Sequence, residues 1–402
     1  MKLSYVCTYV KAGVIRLCFG IIFAFLFCSC SALGQKGETL RITPCDTIEL
    51  PLKIQYVQSF YMPEYNTQAN TYFVYYPETY RHGFALCLDS IKPTALFPVN
   101  TLIENYLIED TNTFIYQPSR SNLSQNKFLK RVNSKGTILD TLYFGFMGAM
   151  YGDTLVLSSL GTLAFPLQKT EAKRHYYAHT HLTKIIYHLS DFETRCKLLQ
   201  HPLIQGIIVS KDSVISAQAN YVHYPKNYFS EKTFYSNWWP RVAINKNLDI
   251  VTSYFFIDSL FVTHPEDNSQ EHFPMKSRHK TKPTETFNPQ LNNDPIYRKQ
   301  YASRTVSYIY LHYDSYRDYY YEVATIPTPY ENKDGTFNDP KDKPWSLIVM
   351  DGSYQQIAEI DMPNYLSKHD IMITAQGIAI QNKILSDEKG TPVYVIYKLE
   401  KQ

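Results

Sequence analysis

Glycine is scarce, at 15 of 402 residues, which weighs against repeats punctuated by glycine at fixed positions. Beyond the leader the chain has no Gly-x-Ser-x-Gly elbow, no phosphate-cradling glycine loop and no dinucleotide fingerprint. Three common routes to nucleophilic, phosphoryl and hydride chemistry therefore lack their sequence signature, and no cofactor is called for. Cysteine is thin where a scaffold would need it. Cys7, Cys18, Cys28 and Cys30 lie in or at the end of the leader. Cys45, Cys87 and Cys196 remain, too few for a disulfide-built domain; they are expected to be buried small hydrophobes.

An excess of either charge is missing too. The chain has 40 Lys+Arg and 37 Asp+Glu. Three of the basic residues, Lys2, Lys11 and Arg16, fall in residues 1–29, which hold no acid, so the remainder is formally neutral. A general nucleic-acid or anionic-membrane partner needs a basic excess, and none is left.

What is present begins with that leader. A basic head precedes an apolar run of 11 residues, Leu17–Phe27, then Cys28-Ser-Cys30-Ser-Ala32. This is the layout of a secretory signal, and the run is too short to cross a bilayer as a helix, which takes about 20 residues. The end resembles a lipobox, cut before a cysteine that is then acylated. Cys30, after small Ser29, fits that role better than Cys28, which follows bulky Phe27. Plain cleavage after Ala32 and an uncleaved anchor are the alternatives. The expected division is 1–29 signal peptide, 30–38 lipidated cysteine and tether, and 39–402 one domain.

In that domain 35 Tyr and 22 Phe of the chain accompany many runs of strand length, rich in β-branched and aromatic residues. Turn chemistry separates them at Asn133-Ser-Lys-Gly136, Asp334-Gly335, Asp351-Gly352 and Glu388-Lys-Gly390. Trp345–Met350 and Tyr354–Ile360 read as one hairpin, and Tyr72–Leu88 and Lys127–Leu142 as two more. Ser190–Gln200 is the best helix candidate. About 370 residues of short antiparallel strands suit an all-β fold, a β-propeller of about six blades.

The lipobox, the strand pattern, Tyr308-Ile-Tyr-Leu-His-Tyr-Asp314 to Tyr321, and the closing Ile378–Asn382 and Tyr394–Tyr397 resemble a family of Bacteroidetes lipoproteins known only as a domain of unknown function with a six-bladed-propeller-like fold. The resemblance implies location and fold; it supplies no catalytic residues.

Four constellations could carry chemistry. His179 and His181 alternate as on one strand, with His175 close by, and imidazoles suit zinc or copper; solvated histidines are the plainer reading. The loop from Tyr224 to Pro240 offers Tyr228, Tyr235, Trp238 and Trp239, rings that can stack on a ligand or pack on their own domain. Thr263–Gln300, a polar insertion between blades, carries Lys276, Arg278, Lys280 and Lys282, an anion site or a solvated surface. Glu331–Asp342 has oxygen ligands but not calcium-loop spacing, which makes a hairpin tip the better reading.

The leading expectation is therefore a lipid-anchored cell-envelope binding protein for a protein or glycan, anchored to the outer membrane. The lack of an acidic run after Cys30 favours its periplasmic face. A glycan- or peptide-acting hydrolase with its site at the propeller axis, and a metal-dependent sensor, are the alternatives.

Overall fold

The computed structural model describes residues 240–401 apart from 248 and 292, together with 40–49, 221–225 and parts of 132–141; between 57 and 221 it otherwise describes strand backbones alone. Seven antiparallel sheets result, six of them four-stranded. Leu40–Glu49 (β1) belongs to the last. Val57–Phe60, Thr71–Tyr75, Gly83–Asp89 and Lys92–Val99 (β2 to β5) make blade 1. Ile103–Asp110, Thr113–Pro118, Phe128–Asn133 and Ile138–Tyr143 (β6 to β9) make blade 2. Met150–Tyr151 and Thr154–Leu157 (β10, β11) join a later strand, His181–Leu182 (β14), in a small three-stranded sheet. Around β14 run Ala164–Lys169 (β12), Lys173–His179 (β13), Ile204–Ser210 (β15) and Ser213–Tyr221 (β16), which form blade 3. Pro240–Ile244, Ile250–Tyr254, Ser259–His264 and Ser269–Pro274 (β17 to β20) form blade 4. Ser307–Asp314, Tyr319–Thr325, Trp345–Asp351 and Gln356–Met362 (β21 to β24) form blade 5. Leu366–Ile373, Ile378–Asn382 and Val393–Lys401 (β25 to β27) form blade 6, with β1 as its outer strand.

First strands neighbour one another: β6 lies against β12, β12 against β17, β17 against β21, β21 against β25, and β25 against β2. Inner strands side by side, each blade stepping outward from its own, are the arrangement of a β-propeller. The all-β, propeller-like fold expected from the strand pattern is thus the one present. The hairpins expected at Tyr72–Leu88, Lys127–Leu142 and Trp345–Ile360 are present as β3–β4, β8–β9 and β23–β24.

The core lies between blades because a blade's middle strands are covered on both faces. In β23 every residue from Trp345 to Met350 is buried. Leu347 and Val349 point into the layer shared with blade 6, alongside Ile371, Ile380 and Val395. Ile348 and Met350 point into the layer shared with blade 4, with Val251, Leu260 and Val262. Such strands read as continuous apolar runs, and outer strands do not: β1 is mostly exposed.

Three elements differ from the sequence expectation. β1, inside the expected domain, is a strand that no apolar run marked, and its register, Leu40↔Lys401 to Glu49↔Val393, ties the start of the domain to its end. Cys45 sits at the bulge of that pairing and is exposed, not a buried hydrophobe. Glu388-Lys-Gly390 is not a hairpin turn but the close of a short helix, Lys383–Lys389; Gly390, at φ 67°, caps it in the left-handed region that glycine enters at no steric cost. Within the polar stretch after Thr263, β20 is an edge strand, and Pro295–Arg304 is a helix (α1; the later helix is α2). Asp294 caps α1 by accepting from the backbone N–H of Ile296 and Tyr297, with Pro295 at its first position. Ser190–Gln200 lies outside the described residues.

Candidate functional site

Because the strands of each blade alternate in direction, its first and third turns share one end of the propeller. The second connection and the crossings between blades share the other. The two ends, called here the turn end and the loop end, are built differently.

The turn end is short and hydrogen-bonded. Asn245, Asp314 and Asp351 each close a strand and accept two backbone N–H groups of the following turn through Oδ1, the side-chain device that makes Asn and Asp turn formers. Links then run from blade to blade. Asn245 Nδ2 donates to Tyr354 Oη at 2.9 Å, and Lys246 pairs with Asp318 at 2.6 Å. Arg317 pairs with the fully buried carboxylate of Asp314 and donates to the carbonyls of Thr374 and Ala375 in blade 6. Gly352 is packed so closely that a Cβ there would lie 2.3 Å from Asp318 Oδ2.

The loop end carries α1, α2 and the long 326–344 connection. Two buried lysines knit them together without a carboxylate. Lys343 Nζ donates to the carbonyls of Ala302 and Thr305 at the end of α1. Lys368 Nζ, from blade 6, donates to those of Lys341 and Lys343. Burial and the neighbouring Lys368 charge bring the Lys343 ammonium down to about 7.

Between these loops, on the inner strands, polar and aromatic groups from three blades meet. Arg241 of β17 sets its guanidinium 5.6 Å from the Phe255 ring centre and 5.8 Å from that of Tyr310 on β21. Tyr310 also stacks on His312 at 6.2 Å, and its hydroxyl lies 3.2 Å from Nδ1 of His369 on β25. Burial pushes His312 down to about 4 and lowers His369, with the Lys368 charge adding to the second, so both imidazoles are neutral at pH 7. Behind them, between blades 4 and 5, Glu322 is completely buried with no well-formed hydrogen bond to either carboxyl oxygen. Burial raises it well above the carboxylate range; Ser253 and the Arg241 guanidinium favour the anion but are outweighed. The cluster gathers one guanidinium, two imidazoles, a phenol and flat rings.

None of these residues stood out in the sequence as a site. Tyr310 and His312 lay in a stretch notable for its family resemblance, and Arg241 in an ordinary strand. Positions 241, 310 and 369 are brought together by blade order alone.

The residues that did stand out fare differently. Tyr228, Tyr235, Trp238 and Trp239 lie outside the described residues, in the stretch between β16 and β17. His175 and His179 are on β13, paired with Ile208 and Ile204, while His181 opens β14 and pairs with Leu157 in a different sheet. The strands that carry them belong to two sheets, and their side chains lie outside the described residues. Two members of the basic cluster are occupied internally. Lys280 is buried against Asp258 at 2.7 Å, and Arg278 pairs with Asp361 at 2.7 Å. Arg278 and Ser277 also bind Glu359, so residues 276–279 clasp the outer edge of blade 5. Glu331–Asp342 is a hairpin tip, closed by Asn332 and Asn338 and by Thr336 donating to Asp334. Among the described residues no group of three or more His, Cys, Asp or Glu could hold a metal, and no helix is long and apolar enough to cross a membrane.

The geometry defines a β-propeller with a polar-aromatic cluster at its inner strands. No family model and no curated protein matches the chain. Among solved structures, a member of the family of unknown function 4221 from Bacteroides vulgatus superposes with a TM-score of 0.60 at 14% identity, covering 91% of this chain and 100% of that one. A Bacteroides fragilis protein whose name marks it as exported gives 0.45 at 9% identity, over 92% and 98% of the two chains. Virginiamycin B lyase from Staphylococcus aureus gives 0.37 at 8%, over 89% and 99%. The chain shares the fold of the B. vulgatus protein, and the family resemblance read from its sequence holds at that level.

Proposed function

We propose that the protein is a lipid-anchored binding protein of the cell envelope, held at the outer membrane through Cys30 and taking a protein or glycan ligand at the loop end of its propeller. The observation that supports it most is the meeting of Arg241, Tyr310 and His369 from three blades at neighbouring inner strands. Such a convergence places a cation, a ring and hydrogen-bonding groups on a rigid scaffold, as binding sites require. Of the described carboxylates near this end, Asp258 is held by Lys280, Asp361 by Arg278 and His279, and Glu322 is completely buried, so these three serve the fold.

The anchor is tested by mass spectrometry of the purified protein. A diacyl or triacyl mass on Cys30 is expected, with release from membranes by Cys30→Ser; an intact leader defeats the anchor. The binding site is tested with a glycan array and envelope pull-down on wild type and Arg241→Ala/Tyr310→Ala. Capture should fall at least tenfold in the variant with its melting temperature within a few degrees of wild type. Blank arrays together with turnover of a glycan or peptide would replace binding with hydrolysis.

A further inference from the structure

Among the described residues of blades 4 to 6, every exposed large apolar side chain is at the loop end. Phe337 is 64% exposed at the hairpin tip, Ile296 56% on α1, Ile384 53% on α2, Tyr365 42% between blades 5 and 6, and Leu291 39% before α1. The other two such residues of the described set, Ile138 and Leu139, adjoin on β9 of blade 2. The loop-end five stand on a stiffened base. Lys343 fixes the hairpin to α1, Lys368 fixes blade 6 to the hairpin, Thr328 N–H donates to Ser303 O, and Lys383 N–H donates to Tyr365 O. Tyr301 anchors α1 between Phe256 and Phe287, at 5.7 and 5.0 Å.

The direction of β1 says where this face points. β1 runs antiparallel to β27, with Leu40 opposite Lys401 and Glu49 opposite Val393. Val393 follows α2 at the loop end, so Leu40 is at the turn end, and the chain leaves the propeller there. The ten steps from Cys30 to Leu40 span at most about 35 Å, and β1 alone is roughly 33 Å tall. A lipid on Cys30 thus starts from the turn end, and it reaches the level of the loop end only with the tether drawn out fully along the outer strand. Nor does the face carry one sign of charge: Arg298 and Lys299 follow Asp294, Lys333 and Lys341 flank Asp334 and Asp339, and Lys383 and Lys389 flank Asp387 and Glu388. That pattern does not select an anionic surface. Three of the five residues are aliphatic, which suits protein contact better than the flat-ring stacking that sugars use.

We propose that the loop end of blades 4 to 6 is a docking platform for a partner protein that presents an apolar segment, and that it faces away from the lipid. This deepens the binding reading; its outward direction rests on acylation at Cys30, and the platform itself does not. A photo-crosslinking residue is placed at Ile296, Phe337 or Ile384 in cells, and at Lys246 or Ser353 as turn-end positions. One adduct with the same second envelope protein is expected from the loop-end positions and not from the others. That protein, purified, should bind wild type and bind Ile296→Asp/Phe337→Asp at least tenfold more weakly. Adducts of two copies of this chain, lipid adducts, equal crosslinking at both ends, or none would each overturn the platform. For direction, the acylated protein is placed in phosphatidylethanolamine–phosphatidylglycerol vesicles containing nitroxide lipid. A fluorophore at Lys246→Cys should be quenched more than one at Phe337→Cys, both in a Cys45→Ser background. The reverse order overturns the direction. A Cys30 found without acyl mass defeats the anchor reading instead, and the crosslinks then decide the platform alone.

Discussion

The two ends of the same three blades solve the exposure of backbone in opposite ways. At the turn end, short turns are held by side-chain carbonyls and carboxylates of Asn245, Asp314 and Asp351, and charge pairs join neighbouring blades. At the loop end, long connections are held by buried ammonium groups on backbone carbonyls, and apolar side chains are left facing outward. Internally paired polar side chains and outward-facing apolar ones are thus separated by height along one strand bundle. The turn end spends its polar groups on itself, whereas the loop end leaves side chains over.

The sharpest way to break this contrast is at Arg317. Arg317→Ala leaves the Asp314 carboxylate buried with only Tyr321 Oη and turn amides. A loss of about 3–5 kcal/mol is expected in urea titration, because an unpaired buried charge is costly; a loss under 1 kcal/mol would mean the turn end is not the stabilising one. Gly352→Ala comes next. Its Cβ would meet Asp318, already held by Lys246 and Tyr313, and a loss of about 1–3 kcal/mol is expected for such overpacking.

Two of the buried ionisable groups, Lys343 and Glu322, make stability depend on pH in opposite directions. Lys343 titrates near 7 when folded and near 10.5 when unfolded, so the unfolded chain binds more protons in that window. Its burial cost is complete below pH 7 and is relieved as pH rises towards 10. Relative to Lys343→Met, wild type should gain melting temperature over that range; parallel curves would show that the lysine is solvated. Glu322 has the opposite sign. Its folded pKa is raised above 4.5, so stability is present below that value and is lost as pH climbs through the folded pKa. Glu322→Gln should flatten that decline in a thermal melt series. The smallest effect belongs to Phe337→Ser, within about 0.5 kcal/mol of wild type as befits an exposed site; its consequence should be confined to partner capture.

Much of the fold was legible in the sequence, because middle strands covered on both faces leave unbroken apolar runs such as Trp345–Met350, and because Asp351-Gly352 and Asn133-Ser-Lys-Gly136 are strong turn chemistry. What escaped has physical reasons. β1 is an outer strand with little to bury, so Leu40–Glu49 shows no apolar pattern. α1 and α2 are short and lack a wide apolar stripe; Asp294-Pro295 marks the start of the first, and Asn382 and Gly390 the two ends of the second. The cluster of Arg241, Tyr310 and His369 could not be seen, since nothing local distinguishes those residues from their neighbours. The basic stretch misled for a related reason: a run of lysine and arginine does not reveal that Asp258, Glu359 and Asp361 wait on other strands.

The pairing of β1 with β27 also sets an order of events. The strand synthesised first finds its partner only when the strand synthesised last has been made, a gap of tens of seconds at roughly 5–20 residues per second. Until then Ile371 and Ile380 belong to a blade with an open edge. Contacts so distant along the chain are slow to form, and the growing polypeptide is most open to misassembly and to holding factors in that interval.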